Sequence, residues 1–323
     1  MQMTTIGNTN LNVSKLCLGT VNYGTKTEEA RARRQLDYFV DRGGNFIDTA
    51  RIYGDWIPGT RGLSEKVVGK WIRDKQNRES IVIATKGAHP NIETMHIPRV
   101  NTDALEQDIK ESLSHLQTDY IDLYFLHRDD PKMPVAELID WLEEKKSQGY
   151  IRAYGFSNWT VARLYEAEEY VNKKSYKGFA SNQMLASLAD VNPKWCAQGQ
   201  LVAMTKAFEE FHLKTNKNLM AYMSLSNGWF LKQFVKASIT EDIAMRYQSE
   251  SNVRMLEMLQ KHCNSEQEIL AYCYQFILER EYSSVAIASF GAQEQLEASL
   301  ACLEQAQINP EVLQMLRELK KQD

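Results

Sequence analysis

The chain has 323 residues, of which 43% are hydrophobic and 25% are charged, and its formal net charge is -4. This composition is typical of a globular protein with a sizeable core, and the small negative charge gives no reason to expect nucleic acid or an anionic membrane as a partner. No apolar run approaches the ~20 residues of a membrane span, and the first residues lack a signal-peptide pattern.

Strand-like and helix-like segments alternate along the chain. Residues 3–13 are typical of a hairpin, which we expect to close the bottom of the fold. Eight β-rich segments follow, at 14–20, 45–50, 80–86, 120–127, 151–158, 176–183, 218–225 and 283–289. Strands that alternate with helices indicate parallel pairing, and eight such units make a closed barrel. The sequence therefore predicts an α/β fold, a single (β/α)8 barrel over residues 1–323.

The intervening helices have amphipathic spacing, and one long segment falls outside the repeat. Leu105, Ile109, Leu113 and Leu116 recur on one face of a helix that opens at Thr102. Residues 134–147 repeat this pattern. Residues 226–264 are too long for a usual βα connection, and we expect a functional loop with a helix-like stretch after the seventh strand.

Five cysteines are scattered along the chain, at 17, 196, 263, 273 and 302, without a Cys-x-x-Cys pair. The odd number and the spacing argue against a disulfide framework and against a zinc site. They fit a protein of a reducing cytoplasm.

Four polar side chains stand at or just beyond the ends of three successive predicted strands: Asp48, Tyr53, Lys86 and His127. Side chains at the carboxyl ends of parallel strands converge on one mouth, so we expect a proton-donating site. A lysine ammonium would lower the pKa of the phenol, ordinarily ~10, and a carboxylate would hold the lysine in place. The histidine suits orientation of a carbonyl oxygen. Each residue alone could be a satisfied core polar group, but the joint arrangement favours catalysis.

Several short segments carry a family likeness that extends over residues 16–297. The strongest are Asp-Thr-Ala-Arg-Ile-Tyr-Gly at 48–54 and Thr-Lys at 85–86, supported by Leu-His at 126–127 and Gly-Phe-Ser-Asn at 155–158. In these segments the chain resembles the aldo-keto reductases, nicotinamide-dependent (β/α)8 carbonyl reductases. The resemblance implies that the four polar residues form the catalytic tetrad, with Tyr53 as the general acid of carbonyl reduction.

The same resemblance implies a nicotinamide cofactor, with NADP(H) favoured over NAD(H). Asn158 and Gln183, with Ser157, match the positions that hold the carboxamide, and each amide side chain supplies a donor and an acceptor. The alternative is that they only cap strand ends. Tyr222 matches the aromatic residue that stacks on the nicotinamide ring. The full set of implied cofactor positions is Gly19, Thr20, Ser157, Asn158, Gln183, Tyr222, Ser224, Leu225, Ser289, Gly291 and Gln295.

The adenosine end of the implied cofactor site departs from the family pattern. The seventh strand ends in Met-Ser-Leu at 223–225, where the family usually has Ser-Pro-Leu. No Lys or Arg occurs between Glu281 and Ala301, where the family typically carries a basic residue for the adenosine 2′-phosphate. We therefore expect weak discrimination, with NADPH and NADH differing by less than about ten- to a hundredfold in affinity.

Around the mouth, Tyr23, Trp56 and Trp229 are predicted to line a cleft for a small-molecule carbonyl substrate, although the tryptophans equally suit loop packing. Arg128 is followed by Asp129 and Asp130, which favours a structural salt bridge over a substrate contact.

The leading predicted function is a cytoplasmic oxidoreductase that reduces an aldehyde or ketone to an alcohol. The alternative is a regulatory or sensing barrel that binds the cofactor with little turnover, which the altered adenosine end favours.

Overall fold

A short hairpin opens the chain and closes one end of the fold, as predicted. In the computed structural model, which describes residues 1–305 and 307–320, strands β1 (Met3–Thr5) and β2 (Asn12–Ser14) pair antiparallel. Ile6 and Val13 are fully buried and pack into the core that fills the barrel interior. The side chain of Asn45 accepts a hydrogen bond from the backbone N–H of Ser14, which fixes the hairpin to the start of a barrel strand.

Eight parallel strands form a closed barrel, which confirms the predicted fold class. They are β3 (Leu16–Gly19), β4 (Phe46–Asp48), β5 (Val82–Gly87), β6 (Ile121–Leu126), β7 (Ile151–Ser157), β8 (Ser181–Leu185), β9 (Asn218–Tyr222) and β10 (Ser284–Ala288). Each strand pairs with the next along the chain, and β10 pairs with β3 to close the ring. These segments are short and apolar because both of their faces are covered by side chains.

One predicted strand begins too early. The segment 176–183 contains strand residues only from Ser181, and the strand continues to Leu185. Gly178 lies before it with a φ of +74°, a left-handed conformation that glycine adopts at little cost. This turn ends the preceding loop, and so the extended segment starts later than the pattern predicts.

Helices surround the barrel. They are α1 (Glu29–Asp41), α2 (Leu63–Lys75), α3 (Thr102–Leu116), α4 (Val135–Ser147), α5 (Val161–Lys174), α6 (Pro193–Gln198), α7 (Lys206–Thr215), α8 (Trp229–Phe234), α9 (Glu241–Tyr247), α10 (Glu250–His262), α11 (Glu266–Leu278), α12 (Gln293–Gln305) and α13 (Pro310–Lys320). The N-cap of α3 is Asn101, whose side chain accepts from the N–H of Ala104. Within the described residues, every helix is too short or too polar to cross a bilayer.

The segment 226–264 after the seventh barrel strand is helical for most of its length, which is more helix than the one helix-like stretch predicted. It contains a 3-10 turn (Ser226–Gly228) and the three helices α8, α9 and α10. Thr240 and Ser249 cap the last two helices through their side chains. Trp229 and Tyr247 are fully buried, and α10 packs against α8 and α13. These short helices form because their apolar faces are covered by one another.

Candidate active site

A buried ion pair lies at the centre of the mouth formed by the carboxyl ends of the strands. Asp48 ends β4 and Lys86 lies in β5, where they are 3% and 1% exposed. The Lys86 Nζ donates to Asp48 Oδ2 at 2.7 Å and to the carbonyl of Thr49 at 2.6 Å. It also lies 3.3 Å from the hydroxyl of Tyr53, which stands in the turn after β4. The structure therefore brings three of the four predicted tetrad residues into one hydrogen-bonded chain.

Burial and charge act in opposite directions on the pKa values of this chain of groups. Burial alone would lower the pKa of Lys86, but Asp48 and Tyr53 together more than offset it, and the pKa lies above its ordinary value. Burial raises the pKa of Tyr53 and outweighs the lowering by Lys86. The predicted net lowering of the phenol pKa is therefore wrong. Tyr53 is protonated at neutral pH, which is the form that can donate a proton.

The fourth tetrad residue, His127, is a neutral imidazole. Its ring packs edge-on against Tyr53, with 5.9 Å between ring centroids, and lies 4.8 Å from the ring of His89. Burial, and after it the charges of His89 and Arg128, hold the pKa of His127 well below its usual range. The Nδ1 atom is buried, and no residue in the described part of the chain hydrogen-bonds to it. Burial likewise lowers the pKa of His89 to about 4. Both imidazole rings are therefore neutral at neutral pH, with one ring nitrogen protonated in each.

Three residues at the same mouth have a strained backbone conformation. Ala88, Asn158 and Met223 follow β5, β7 and β9 and have φ values of +64°, +60° and +54°. Such left-handed conformations are unfavourable for residues with a Cβ and persist where surrounding contacts impose them. For Ala88, that contact is a hydrogen bond from its N–H to the buried Asp108. Arg99 pairs with the same carboxylate at 2.7 Å. The network thus fixes the backbone just after Lys86.

The predicted carboxamide-binding residues lie together at the ends of β7 and β8. Gln183 donates from Nε2 to Asp48 Oδ1 at 2.8 Å, so it contacts the ion pair directly. Its Oε1 accepts no hydrogen bond from the described residues. Ser157 accepts from Asn158 Nδ2 at 3.1 Å, and within the described chain its own hydroxyl hydrogen has no acceptor. One acceptor and one donor are thereby left for a ligand amide.

The amide oxygen of Asn158 is instead hydrogen-bonded to other residues of the protein. Its Oδ1 accepts from the Tyr222 hydroxyl at 2.6 Å and from the N–H of Val202 at 3.1 Å. Val202 belongs to the connection between β8 and α7, which the sequence pattern did not mark as part of the site. The only signal in the sequence was the length of the segment between β8 and α7, because long connections are usually functional.

Several predicted cofactor positions hold the structure together at the adjacent strand ends. Thr20 is fully buried and donates to the carbonyl of Asp48 at 2.9 Å. Ser224 donates to the carbonyl of Ile287 at 2.8 Å, and Leu225 is partly buried beside it. A Cβ on Gly19 would lie 2.6 Å from Ser289 Oγ. This close approach explains why a glycine occupies the end of β3.

A basic side chain reaches the predicted adenosine end from elsewhere in the sequence. Arg31, an exposed residue in α1, donates from Nη1 to the carbonyl of Gly291 at 2.9 Å. Gln35 in the same helix donates to the carbonyl of Phe290 at 3.1 Å. The side chain of Gln295 accepts from the N–H groups of Gly291 and Ala292. The sequence after the eighth barrel strand lacks a basic residue, but in the folded protein Arg31 of α1 brings one to this surface.

The three predicted substrate residues lie in different environments. Trp56 is 40% exposed, and its ring centroid lies 6.5 Å from that of Tyr53. Tyr23 is buried and donates to Gln35 Oε1 at 3.1 Å. Trp229 is fully buried against Phe230. Tyr23 and Trp229 therefore present no surface to a ligand in this structure, and packing accounts for both.

The predicted salt bridge of Arg128 with its acidic neighbours is wrong. Asp129 pairs with Arg163 at 3.1 Å, and Asp130 Oδ1 accepts from the N–H of Lys132. The Arg128 guanidinium donates instead to the carbonyl of His127 at 3.0 Å. Asp129 is thus paired with a residue of α5, and Asp130 with the backbone of its own loop.

Comparison with known proteins identifies the family. The model of the aldo/keto reductase family matches residues 15–321. The chain belongs to the aldo/keto reductase family. The resemblance predicted from residues 48–54, 85–86, 126–127 and 155–158 is therefore confirmed.

Curated relatives of this aldo/keto reductase match over part of their length. The uncharacterized oxidoreductase YrpG of Bacillus subtilis is 35% identical over 195 residues, 59% of this chain and 59% of that protein. The protein Tas of Escherichia coli is 35% identical over 183 residues, 50% of this chain and 53% of Tas. Norsolorinic acid reductase of Aspergillus flavus is 35% identical over 169 residues, 47% of this chain and 42% of the relative. The chain spans about half the length of the curated relatives it matches.

Solved structures of aldo-keto reductases match almost the whole chain. The holo form of AKR11C1 from Bacillus halodurans has a TM-score of 0.74 at 25% identity, covering 99% of this chain and 96% of that one. The thermostable aldo-keto reductase Tm1743, solved with the inhibitor epalrestat, has a TM-score of 0.71 at 25% identity, covering 99% and 100%.

The neutral His89 makes stability dependent on pH. Because its pKa is about 4 in the folded protein and ~6.5 unfolded, the unfolded chain binds more protons below pH ~6.5, and stability falls as the pH falls. Between pH 7 and pH 5 this histidine should cost about 2 kcal/mol. Between pH 7 and pH 5, the free energy of unfolding of His89→Gln, measured in urea, should fall by about 2 kcal/mol less than that of wild type. The exposed His262 offers a control, and His262→Gln should behave as wild type. Equal pH dependence in His89→Gln and wild type would contradict the assignment.

Proposed function

We propose that this protein reduces an aldehyde or ketone to the corresponding alcohol with a nicotinamide cofactor. The observation that carries the proposal is the Lys86 ammonium, which bridges the buried Asp48 carboxylate and the Tyr53 hydroxyl in the mouth of the barrel. An ammonium adjoining a protonated phenol lowers the cost of proton donation to a developing alkoxide. A reducing compartment such as the cytoplasm fits the five cysteines, all of which are buried free thiols.

The residues present fit the nicotinamide end of such a cofactor. The Ser157 hydroxyl can donate to an amide oxygen, and Gln183 Oε1 can accept from an amide N–H. The ring of Tyr222 is held by its hydrogen bond to Asn158, which suits it to cover an aromatic ring. When bound, the reduced cofactor supplies the hydride.

The chain's own residues supply the proton and the orientation. Tyr53 donates its phenolic proton to the carbonyl oxygen as charge develops there. Lys86 stabilises the phenolate that results, and Asp48 keeps the lysine charged and in place. The neutral His127 orients the carbonyl oxygen, since its low pKa prevents it from acting as the acid at neutral pH.

Removal of the phenolic proton tests this assignment. Tyr53→Phe should reduce kcat for an aldehyde panel by about 10²- to 10⁴-fold, the usual contribution of general acid catalysis, and change cofactor affinity by only a few-fold. The variant leaves the ring that packs on His127 in place. Retention of more than half of the wild-type kcat would rule out Tyr53 as the acid. A wild-type protein that binds NADPH but turns over no carbonyl compound would favour the regulatory barrel.

We further propose that NADP(H) is preferred over NAD(H), but weakly, because the basic group that contacts the predicted adenosine end is the exposed Arg31. Its guanidinium already contacts the Gly291 carbonyl, and a 2′-phosphate beside this loop would gain a charge-assisted contact. Solvent screening keeps such exposed contacts modest. Ser289, Gly291 and Gln295 add polar contacts without charge.

The ratio of NADH to NADPH dissociation constants should be less than about a hundredfold in wild type. In Arg31→Ala it should fall by roughly three- to tenfold, as measured by quenching of tryptophan fluorescence. Arg33 lies in the same helix but pairs with Asp74 at 2.8 Å, so Arg33→Ala is the matched control. If the ratio of the two dissociation constants is unchanged in Arg31→Ala, the 2′-phosphate does not contact Arg31.

A further inference from the structure

Arg128 is a cation in the wall of the active-site mouth that has no acidic partner. It directly follows His127 at the end of β6. Its Nη1 donates to the His127 carbonyl at 3.0 Å, and its Nε is buried without a hydrogen-bond partner among the described residues. Within residues 1–305 and 307–320, no carboxylate lies within ion-pair distance of this guanidinium. The contact with one backbone carbonyl leaves most of its five N–H donors available.

The charge of Arg128 acts on the groups that surround the reacting centre. It opposes protonation of His89 and of His127, and it favours the phenolate forms of Tyr53 and Tyr222. These four rings come from the ends of different strands, and the Arg128 guanidinium is held beside one of them by its contact with the His127 carbonyl. Asp48, the carboxylate at the centre of the mouth, is already bonded to Lys86 and Gln183 and is not free to pair with Arg128.

A partly desolvated guanidinium without an anion is unfavourable, and burial lowers the pKa of Arg128. Such a charge is stabilised when a ligand brings an anion into the site. Arginine is also the side chain best matched to a carboxylate, through two parallel hydrogen bonds.

We propose that Arg128 binds the carboxylate of an oxo-acid substrate, whose aldehyde or ketone carbonyl is held between Tyr53 and His127. This inference rests on the proposed carbonyl reduction. Because Arg128 directly follows His127, a carboxylate bound by Arg128 and a carbonyl held at His127 can belong to one small substrate, with a short carbon chain between them. The carboxylate itself is unchanged in the reaction: the C=O π bond breaks, a C–H bond forms with the cofactor's hydride, and an O–H bond forms with the Tyr53 proton. The product is a hydroxy acid, and the cofactor is oxidised.

The test compares 5-oxopentanoate with pentanal, two aldehydes that differ in the carboxylate. At saturating NADPH, the kcat/KM of wild type should be at least about tenfold higher for 5-oxopentanoate than for pentanal. A tenfold preference corresponds to the lower end of the free energy of a hydrogen bond to a charged group. In Arg128→Met the ratio of the two kcat/KM values should fall to within about threefold of unity. Arg128→Lys should retain part of the preference because it keeps the charge but not the planar fork. Arg73 is exposed and pairs with Asp74 on α2, so Arg73→Met should keep the wild-type ratio.

Three results would overturn the inference. They are a wild type that shows no preference for the acid, an Arg128→Met variant that keeps the preference, and a variant that weakens NADPH binding while the ratio is unchanged. The last would assign Arg128 to the cofactor phosphates. Failure of both aldehydes to react would count against the proposed function. In that case calorimetric binding of glutarate decides the inference: binding that is lost in Arg128→Met supports it, and no binding to wild type contradicts it.

Discussion

The buried ion pair of Asp48 and Lys86 is the interaction on which the mouth of this barrel depends. Both charges are almost completely removed from water, which is favourable only if each is paired and hydrogen-bonded. The structure meets this condition from several strands at once. Lys86 reaches Asp48 and the Thr49 carbonyl, while Gln183 approaches the second carboxylate oxygen from the opposite side of the barrel. Loss of one partner would leave an uncompensated charge, at a cost of about 3–5 kcal/mol. The pair therefore ties the position of the Tyr53 hydroxyl to the closure of the barrel itself.

Around this pair the mouth is electropositive. Lys86 and Arg128 provide two cations, and Asp48 is the carboxylate that Lys86 and Gln183 hold among them. Burial, and after it this excess of positive charge, keeps His127 and His89 neutral. The excess also gives the site one electrostatic character, since negative charge that develops on a carbonyl oxygen is stabilised there. The same field favours substrates that already carry an anion. The proposed proton donation by Tyr53 and the proposed binding of an oxo acid would both depend on this positive charge.

The fold, and the position of Asp48, Tyr53, Lys86 and His127 at one mouth, could be predicted from local sequence because each depends on short-range pattern. Apolar segments alternate with amphipathic helices, and Asp48, Lys86 and His127 follow directly from strand ends. Features that depend on contacts distant in sequence could not be predicted. Arg31 meets Gly291 across 260 positions, and Val202 reaches Asn158 across 44. Burial of Tyr23 and Trp229 is decided by helices packed over them, which the pattern of single residues does not encode. The pKa of Tyr53 was misjudged for a related reason, since its burial depends on the whole mouth and outweighs the one neighbouring charge that the sequence shows.

A double-mutant cycle on the ion pair tests most directly whether Asp48 and Lys86 act as one unit on Tyr53. The kcat/KM of Asp48→Asn, of Lys86→Met and of the double variant would be measured with one aldehyde at saturating cofactor. If the carboxylate acts only through the lysine, each single variant should lose at least about a hundredfold. The double variant should then lose no more than the worse single variant, within roughly threefold. Losses that multiply in the double variant would mean that the two residues act independently, and would contradict this account.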